Sequence, residues 1–257
     1  MRSPPPARRS LAHMTPLGLT CLQPRNPWMA AFFAFSFPGF GYLLLERYLA
    51  AFMFIGWEVF INTKAHLNLG ILYSMIGRFD QAKSVLDTNW LILYITLYLF
   101  NIWDSYRLAV DLNKQYRLAK HEDADLPSSR VSFWDIDFRD KKRPSTALLW
   151  SILIPGTGHL YAHKMLTGLF ILGATLTVTA ISRIPLSIHY LAVGDFPSVL
   201  RPLDMQWAMY LPSMYTFFVY DAYGSVVEQN KLFEIEQAQF LKQHYQSAEF
   251  PMPMQEW

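Results

Sequence analysis

One short element written twice constrains this chain more than any other feature. Pro38-Gly39-Phe40-Gly41 returns 117 residues later as Pro155-Gly156-Thr157-Gly158, and the same spacing aligns residues of unrelated chemistry along the whole unit without a gap. Pro27 meets Pro144, Gly56 meets Gly173, Tyr73 meets Tyr190, and Gly77-x-Phe79 meets Gly194-x-Phe196. Asp87-x-x-Trp90 meets Asp204-x-x-Trp207, Asp104-x-Tyr106 meets Asp221-x-Tyr223, and Asn113-Lys114 meets Asn230-Lys231. Apolar composition aligns leucines by chance, but it does not align glycine, proline, aspartate and tryptophan at one spacing, so the pattern reads as tandem duplication. The expected organisation is a disordered basic leader over 1–24, a first membrane unit over 25–116, a polar linker over 117–141, a second membrane unit over 142–233 and a C-terminal tail over 234–257.

Apolar runs set the class of the unit. Pro27 to Leu45 carries no charge over 19 residues, which at 1.5 Å per residue nearly matches a hydrocarbon core of about 30 Å. Leu49 to Asn62 is apolar apart from Glu58, and Trp90 to Trp103 has aromatics near its ends, as interfacial belts require. The order repeats as Ala147 to Ala162, Met165 to Ile181 and Trp207 to Tyr220. Charged residues are 16% of the chain and apolar ones 52%, against about 25% charge in an ordinary soluble domain. The expected fold is therefore an all-α, polytopic helical membrane protein of two tandem repeats, each carrying a Pro-Gly-x-Gly broken or re-entrant helix. It would lie in the cell membrane as a multi-pass protein, with the lipid bilayer and other membrane proteins as partners.

Other classes fall away on composition. A net charge of +2 without an arginine-lysine stripe names no nucleic-acid partner. Cys21 is the one cysteine, so no internal disulfide is available. Gly18-Leu19-Thr20-Cys21 lacks the apolar core that a lipoprotein signal needs before it. No phosphate-binding glycine loop, nucleophile elbow or Cys-x-x-Cys element is present, so neither an enzyme nor a cofactor is expected.

Proline at 38 has no amide to donate and its glycine neighbours tolerate unusual torsions, so Pro-Gly-x-Gly should break the first apolar run into two half-helices. If the break turns the chain back, 17 of the 22 lysines and arginines gather on one side and 5 on the other. If every run spans, the split is 12 against 10. The positive-inside rule prefers the re-entrant reading. Between the second and third runs, His66 to Asn89 has the small and aromatic spacing of one tetratricopeptide unit, and is expected as a short helical hairpin on the membrane surface.

Asn26-Pro27-Trp28 through Pro38-Gly39-Phe40-Gly41, with Trp103-Asp104-Ser105-Tyr106-Arg107, resembles a group of uncharacterised tandem-repeat multi-pass membrane proteins of endospore-forming bacteria. More distantly, Gly156-x-Gly158-His159-x-Tyr161 with Lys164 and Gly168 is similar to the two-transmembrane-helix domain family. The first copy departs from that signature, with Tyr42 for the histidine and Leu44 for the tyrosine. Neither resemblance implies an activity, so site residues must come from the chain itself.

Asp104 and Asp221 are the candidates, because an ionisable group near the end of a membrane segment is costly and both copies retain it. One reading makes them a cation or proton site; the other pairs Asp104 with Arg47 and Asp221 with Lys164 as structural neutralisation. Pro38, Gly39 and Gly41, with Pro155, Gly156 and Gly158, complete the candidate set. Glu58 is a proton-relay candidate with Lys64 as its alternative partner, and Thr175 takes its place in the second copy. His159 and His163 share a face if they lie on one helix, the spacing of a two-histidine metal site. No metal is expected, since no glutamate stands between them and Tyr42 and Glu46 occupy the matching positions. The functional expectation is a non-catalytic scaffold or assembly partner. The alternative is a small transporter or channel with a site between the two broken helices.

Overall fold

A computed structural model describes residues 12–15, 18–121, 129–131, 136–138 and 140–245. The body of the chain is helical. The first unit runs through α1 (Pro27–Ser36), α2 (Phe40–Leu44), α3 (Tyr48–Ala65), α4 (Leu67–Met75), α5 (Phe79–Val85) and α6 (Thr88–His121). The second runs through α7 (Pro144–Leu153), α8 (Thr157–Tyr161), α9 (Met165–Ile181), α10 (Ile184–Ala192), α11 (Met205–Ala208) and α12 (Leu211–His244), with a 3-10 turn at Phe196–Ser198. Two small antiparallel hairpins stand apart from the helices: β1 (Ala12–Thr15) with β2 (Gly18–Cys21), and β3 (Ser129–Val131) with β4 (Ile136–Phe138). They lie within the expected leader and the expected polar linker. Helix α12 runs on past Glu234 to His244.

Backbone torsions follow the 117-residue spacing. The eight described residues with positive φ form four pairs: Gly39 and Gly156 (99° and 101°), Glu46 and His163 (58° and 54°), His66 and Arg183 (52° and 58°), and Gly77 and Gly194 (78° and 79°). Capping explains several of the repeated polar residues. The Asp87 carboxylate accepts from the amides of Asn89 and Trp90 at the start of α6, and Asp204 accepts from Trp207 N–H at the start of α11. Asn113 and Asn230 act as straps. Each takes the N–H and donates to the C=O of one residue just before the first helix of its unit, Arg25 at 2.8 and 2.8 Å and Lys142 at 2.9 and 2.7 Å.

The units differ in two helical segments that contain proline in the second copy. Pro197 stands where Asp80 opens α5, and only a 3-10 turn forms. Pro212 has no amide to continue α11, so the second unit breaks at Met209-Tyr210 where α6 is unbroken.

The apolar run from Pro27 to Leu45 is two helices, not one. Contacts along α6 give their direction. Arg25 bonds to Asn113, Trp28 packs on Tyr106 and the Phe35 carbonyl accepts from Tyr98, so α1 runs antiparallel to α6. Gly39 N–H then bonds to Asn101 and the Tyr42 hydroxyl to Asp104, so α2 climbs back toward the end it came from. In the second unit Lys142 and Ala162, at the two ends of the hairpin, bond to neighbouring residues Asn230 and Gln229. Two glycines make the reversal possible. Gly39 and Gly156 take the positive φ, while Gly41 and Gly158 let the legs touch. A Cβ on Gly41 would lie 2.6 Å from Ser105 Oγ and 2.7 Å from the Ala30 carbonyl, and one on Gly158 would strike Ser151 Oγ and the Ala147 carbonyl.

Among the described residues no single helix is long and apolar enough to cross a membrane. Two bent pairs pass that test together: Phe79–Val85 with Thr88–Lys120, bent by 91°, and Met165–Ile181 with Ile184–Ala192, bent by 66°. Helices α4 and α5 pack on each other as a hairpin, with Gly70 against Leu86.

The units meet in three tiers. Aromatic rings fill the middle, with Phe33 on Phe217 at 5.1 Å, Phe40 on Phe217 at 4.5 Å and Phe52 on Phe170 at 4.7 Å. At the end near Asp87 an amide knot joins them: Gln206 Nε2 donates to Asn62 Oδ1 at 2.8 Å, and Asn68 Nδ2 donates to the Gln206 carbonyl at 2.8 Å. At the linker end the contact is ionic.

Gly41→Val and Gly158→Val should each cost about 1–3 kcal/mol, because the added atoms meet backbone and a small side chain that cannot withdraw. Gly56→Ala and Gly173→Ala face open space and lie inside helices, so they should hold or raise stability by about 0.5–1 kcal/mol. Thermal unfolding of the purified protein in detergent checks both directions.

Candidate functional site

The tight turn after each hairpin, with Glu46 or His163 at positive φ, brings the second leg against the long last helix of its own unit. This places Tyr42 and His159, at matching positions, on the two candidate aspartates. The Tyr42 hydroxyl donates to Asp104 Oδ2 at 2.7 Å, and His159 Nε2 bonds to Asp221 Oδ2 at 3.1 Å. The contact is shared; the surroundings are not.

Asp104 is neutralised from outside. Arg107 Nε donates to its Oδ1 at 3.0 Å, and the guanidinium also sits over the Trp103 ring at 5.4 Å. Arg47, the partner expected from sequence, caps α3 and is exposed. A residue three positions along the same helix reaches the carboxylate at less entropic cost than one on another segment.

Asp221 is buried at 2% exposure and His159 at 0%. The expected ion pair with Lys164 is replaced: Lys164 Nζ lies 2.7 Å from Glu46 Oε1, a carboxylate of the other unit. Arg25, also from the first unit, pairs with Glu228 on α12. Six groups thus form one ionic cluster across the linker end of the interface. Burial pulls the Lys164 ammonium down, but Glu46 and Asp221 outweigh it and hold the group above its ordinary range. Burial pushes the Asp221 carboxyl up, and the charge of Lys164 with the bond from His159 reverses this to about 2. Asp221 is therefore an anion at neutral pH. Two buried atoms in the cluster have no hydrogen-bond partner, Asp221 Oδ1 and His159 Nδ1.

The remaining candidates resolve as follows. Helix α8 ends at Tyr161 and His163 has positive φ, so the two histidines do not share a helix face, and no metal-binding group of three or more His, Cys, Asp or Glu forms among the described residues. Glu58 is buried and accepts from Asn62 Nδ2 at 2.8 Å; Asn62, one turn on, takes the place expected for Lys64. Pro38, Gly39, Gly41, Pro155, Gly156 and Gly158 build the two reversals and take no part in the ionic cluster. Sequence reading missed the roles of Glu46, Arg25, Glu228 and Gln206. Glu46 could have been found only as the acidic counterpart of His163.

No protein-family model matches the chain, and no curated protein or solved structure matches it either. The resemblances drawn from sequence rest on the quoted residues alone. Chemically, the fixed charges of the cluster tie the units together.

Asp221→Asn should lose about 3–5 kcal/mol, because it leaves Lys164 and its neighbours buried with one anion fewer. Asp104→Asn should lose a small fraction of that, since its partner is solvent-facing. Because the Asp221 pKa is depressed on folding, its contribution is complete above the ordinary carboxylate range and disappears as pH falls toward about 2. Melting curves of the two variants at neutral and acid pH separate them.

Proposed function

We propose that the chain is a multi-pass integral protein of the cell membrane, built from two tandem copies of one helical unit and serving as a non-catalytic scaffold for assembly with other membrane components. The observation that carries this reading is an apolar exterior around an interior that also holds polar and charged side chains. Phe35, Phe60, Ile92, Leu97, Trp103 and Leu149 stand exposed, while Glu58, Asn62, His159, Lys164 and Asp221 are buried. Water would favour the reverse; hydrocarbon favours this one. The bent helix pairs and the short α1 and α7 fit segments that enter and turn. In this reading each broken helix re-enters, and Arg47 and Lys164 return to the linker side. The inter-unit space supports a scaffold, since Phe33, Phe37, Phe40, Tyr210, Phe217 and Phe218 fill it.

A second reading, a small transporter or channel, has one observation in its favour: Asp221 Oδ1 and His159 Nδ1 are buried without partners. Inward polar atoms of that kind accompany ion sites in membranes.

The scaffold should stay in the membrane pellet through carbonate extraction. In a Cys21→Ser background, a membrane-impermeant thiol reagent should label Leu49→Cys from the same side as Pro24→Cys and from the side opposite Gln81→Cys. Release into the soluble fraction would end the membrane reading. Labelling of Leu49→Cys from the side opposite Pro24→Cys would show a full crossing and turn the argument toward inverted repeats and transport.

A further inference from the structure

The contact between the units is not symmetric. The hairpin α1–α2 of the first unit packs on α12 of the second, through Phe33 on Phe217 and Tyr220, and Phe37 on Tyr210. A two-fold pair would repeat this as α7–α8 on α6, and among the described residues those elements do not pack on each other. The equivalents stand open. Trp150, at the position of Phe33, is 49% exposed where Phe33 is 2%, and Phe100, at the position of Phe217, is 45% exposed where Phe217 is 0%. Ile154 and Leu169 replace Phe37 and Phe52, while Leu93 and Trp103 replace Tyr210 and Tyr220, and all four are exposed. Head-to-tail contacts of this kind leave one used and one unused half at each end, and the unused halves fit each other.

We infer that the outer face of α7–α8 in one chain docks on the outer face of α6 in a second copy of this chain, repeating between chains the contact made between units. This rests on the scaffold reading and gives its assembly a partner, the chain itself. Polar positions carry over. Thr179 and Asn89 stand at the positions of Asn62 and Gln206, and Lys142 and Asp111 at those of Arg25 and Glu228, with the same charge signs. One pair does not carry over: His163 and Arg47 replace Glu46 and Lys164, so the contact between chains lacks that ion pair and is weaker than the one within. Two chains joined reciprocally close a ring of four units; without closure the same contact extends as a row.

Two differently tagged chains in the Cys21→Ser background test this, one carrying Trp150→Cys and the other Phe100→Cys, co-expressed and oxidised in membranes. The expected result is a shift from monomer to a covalent species bearing both tags. Phe33→Cys with Phe217→Cys in one chain should close without any gain in mass, which confirms that the unit contact is intact. Ile188→Cys, exposed but outside the matched faces, replaces Trp150→Cys as the control. Absence of the doubly tagged species, or an equal yield with the Ile188→Cys control, overturns the inference. Carbonate extraction of the same membranes reads the scaffold proposal separately, because a membrane-bound monomer would sink the inference alone.

Discussion

Breaking a helix inside an apolar core frees backbone groups that must find partners, and the architecture rests on how each hairpin finds them. In the first unit Asn101, from α6, accepts from Gly39 N–H at its Oδ1, at 3.2 Å, and donates its Nδ2 to the Ala34 carbonyl at 2.9 Å. In the second unit the same site on α12 is Phe218, which has nothing to offer. There Thr157 bonds within the hairpin to other groups, donating its hydroxyl to the Ile154 and Trp150 carbonyls at 2.7 and 2.9 Å. The swap is coupled. Because the first hairpin has Phe40 in place of Thr157, its ring is free to pack on Phe217 and Phe218, which the second unit supplies in place of a polar strut.

This coupling explains why the interface is aromatic at mid-depth and polar at both ends. Rings that replace hydrogen-bonding groups need no partners and bury large areas, so they suit the driest tier. The amide knot of Asn62, Asn68 and Gln206 saturates itself, and the ionic cluster answers most of its charges with neighbours from the other unit. An ionic contact of this burial adds little net stability over an apolar one, but a shifted register would strand charges, so it fixes how the units align.

Much of the fold was legible where the residue acts on its own backbone. The glycine torsions, the proline breaks and the Asp87 and Asp204 caps follow from local chemistry that one chain position carries by itself. The strap role of Asn113 and Asn230 was visible only as a repeated pair, because an amide that clamps a residue 88 positions away leaves no periodic trace. The candidate aspartates were found and their partners were not. Arg107 for Asp104 is the local option, but its counterpart in the other copy is Gly224, so the repeat does not point to it. Glu46 for Lys164 crosses units, and no spacing within one unit can reveal it.

The two copies differ most where they touch. Residues kept at the 117-residue spacing, such as Gly39, Gly77, Asp87, Asp104 and Asn113, work within a unit, where both copies face the same demand. Residues that differ, such as Phe40 and Thr157, Glu46 and His163, or Asn101 and Phe218, sit where the copies meet and one copy presents a hairpin while the other presents a long helix. A head-to-tail contact puts equal positions in unequal surroundings, so no single residue serves both. Asp104 and Asp221 mark the boundary between the two regimes. The aspartate and its hairpin donor are local and retained in kind, while its neutralising charge comes from Arg107 beside one copy and from the shared cluster in the other.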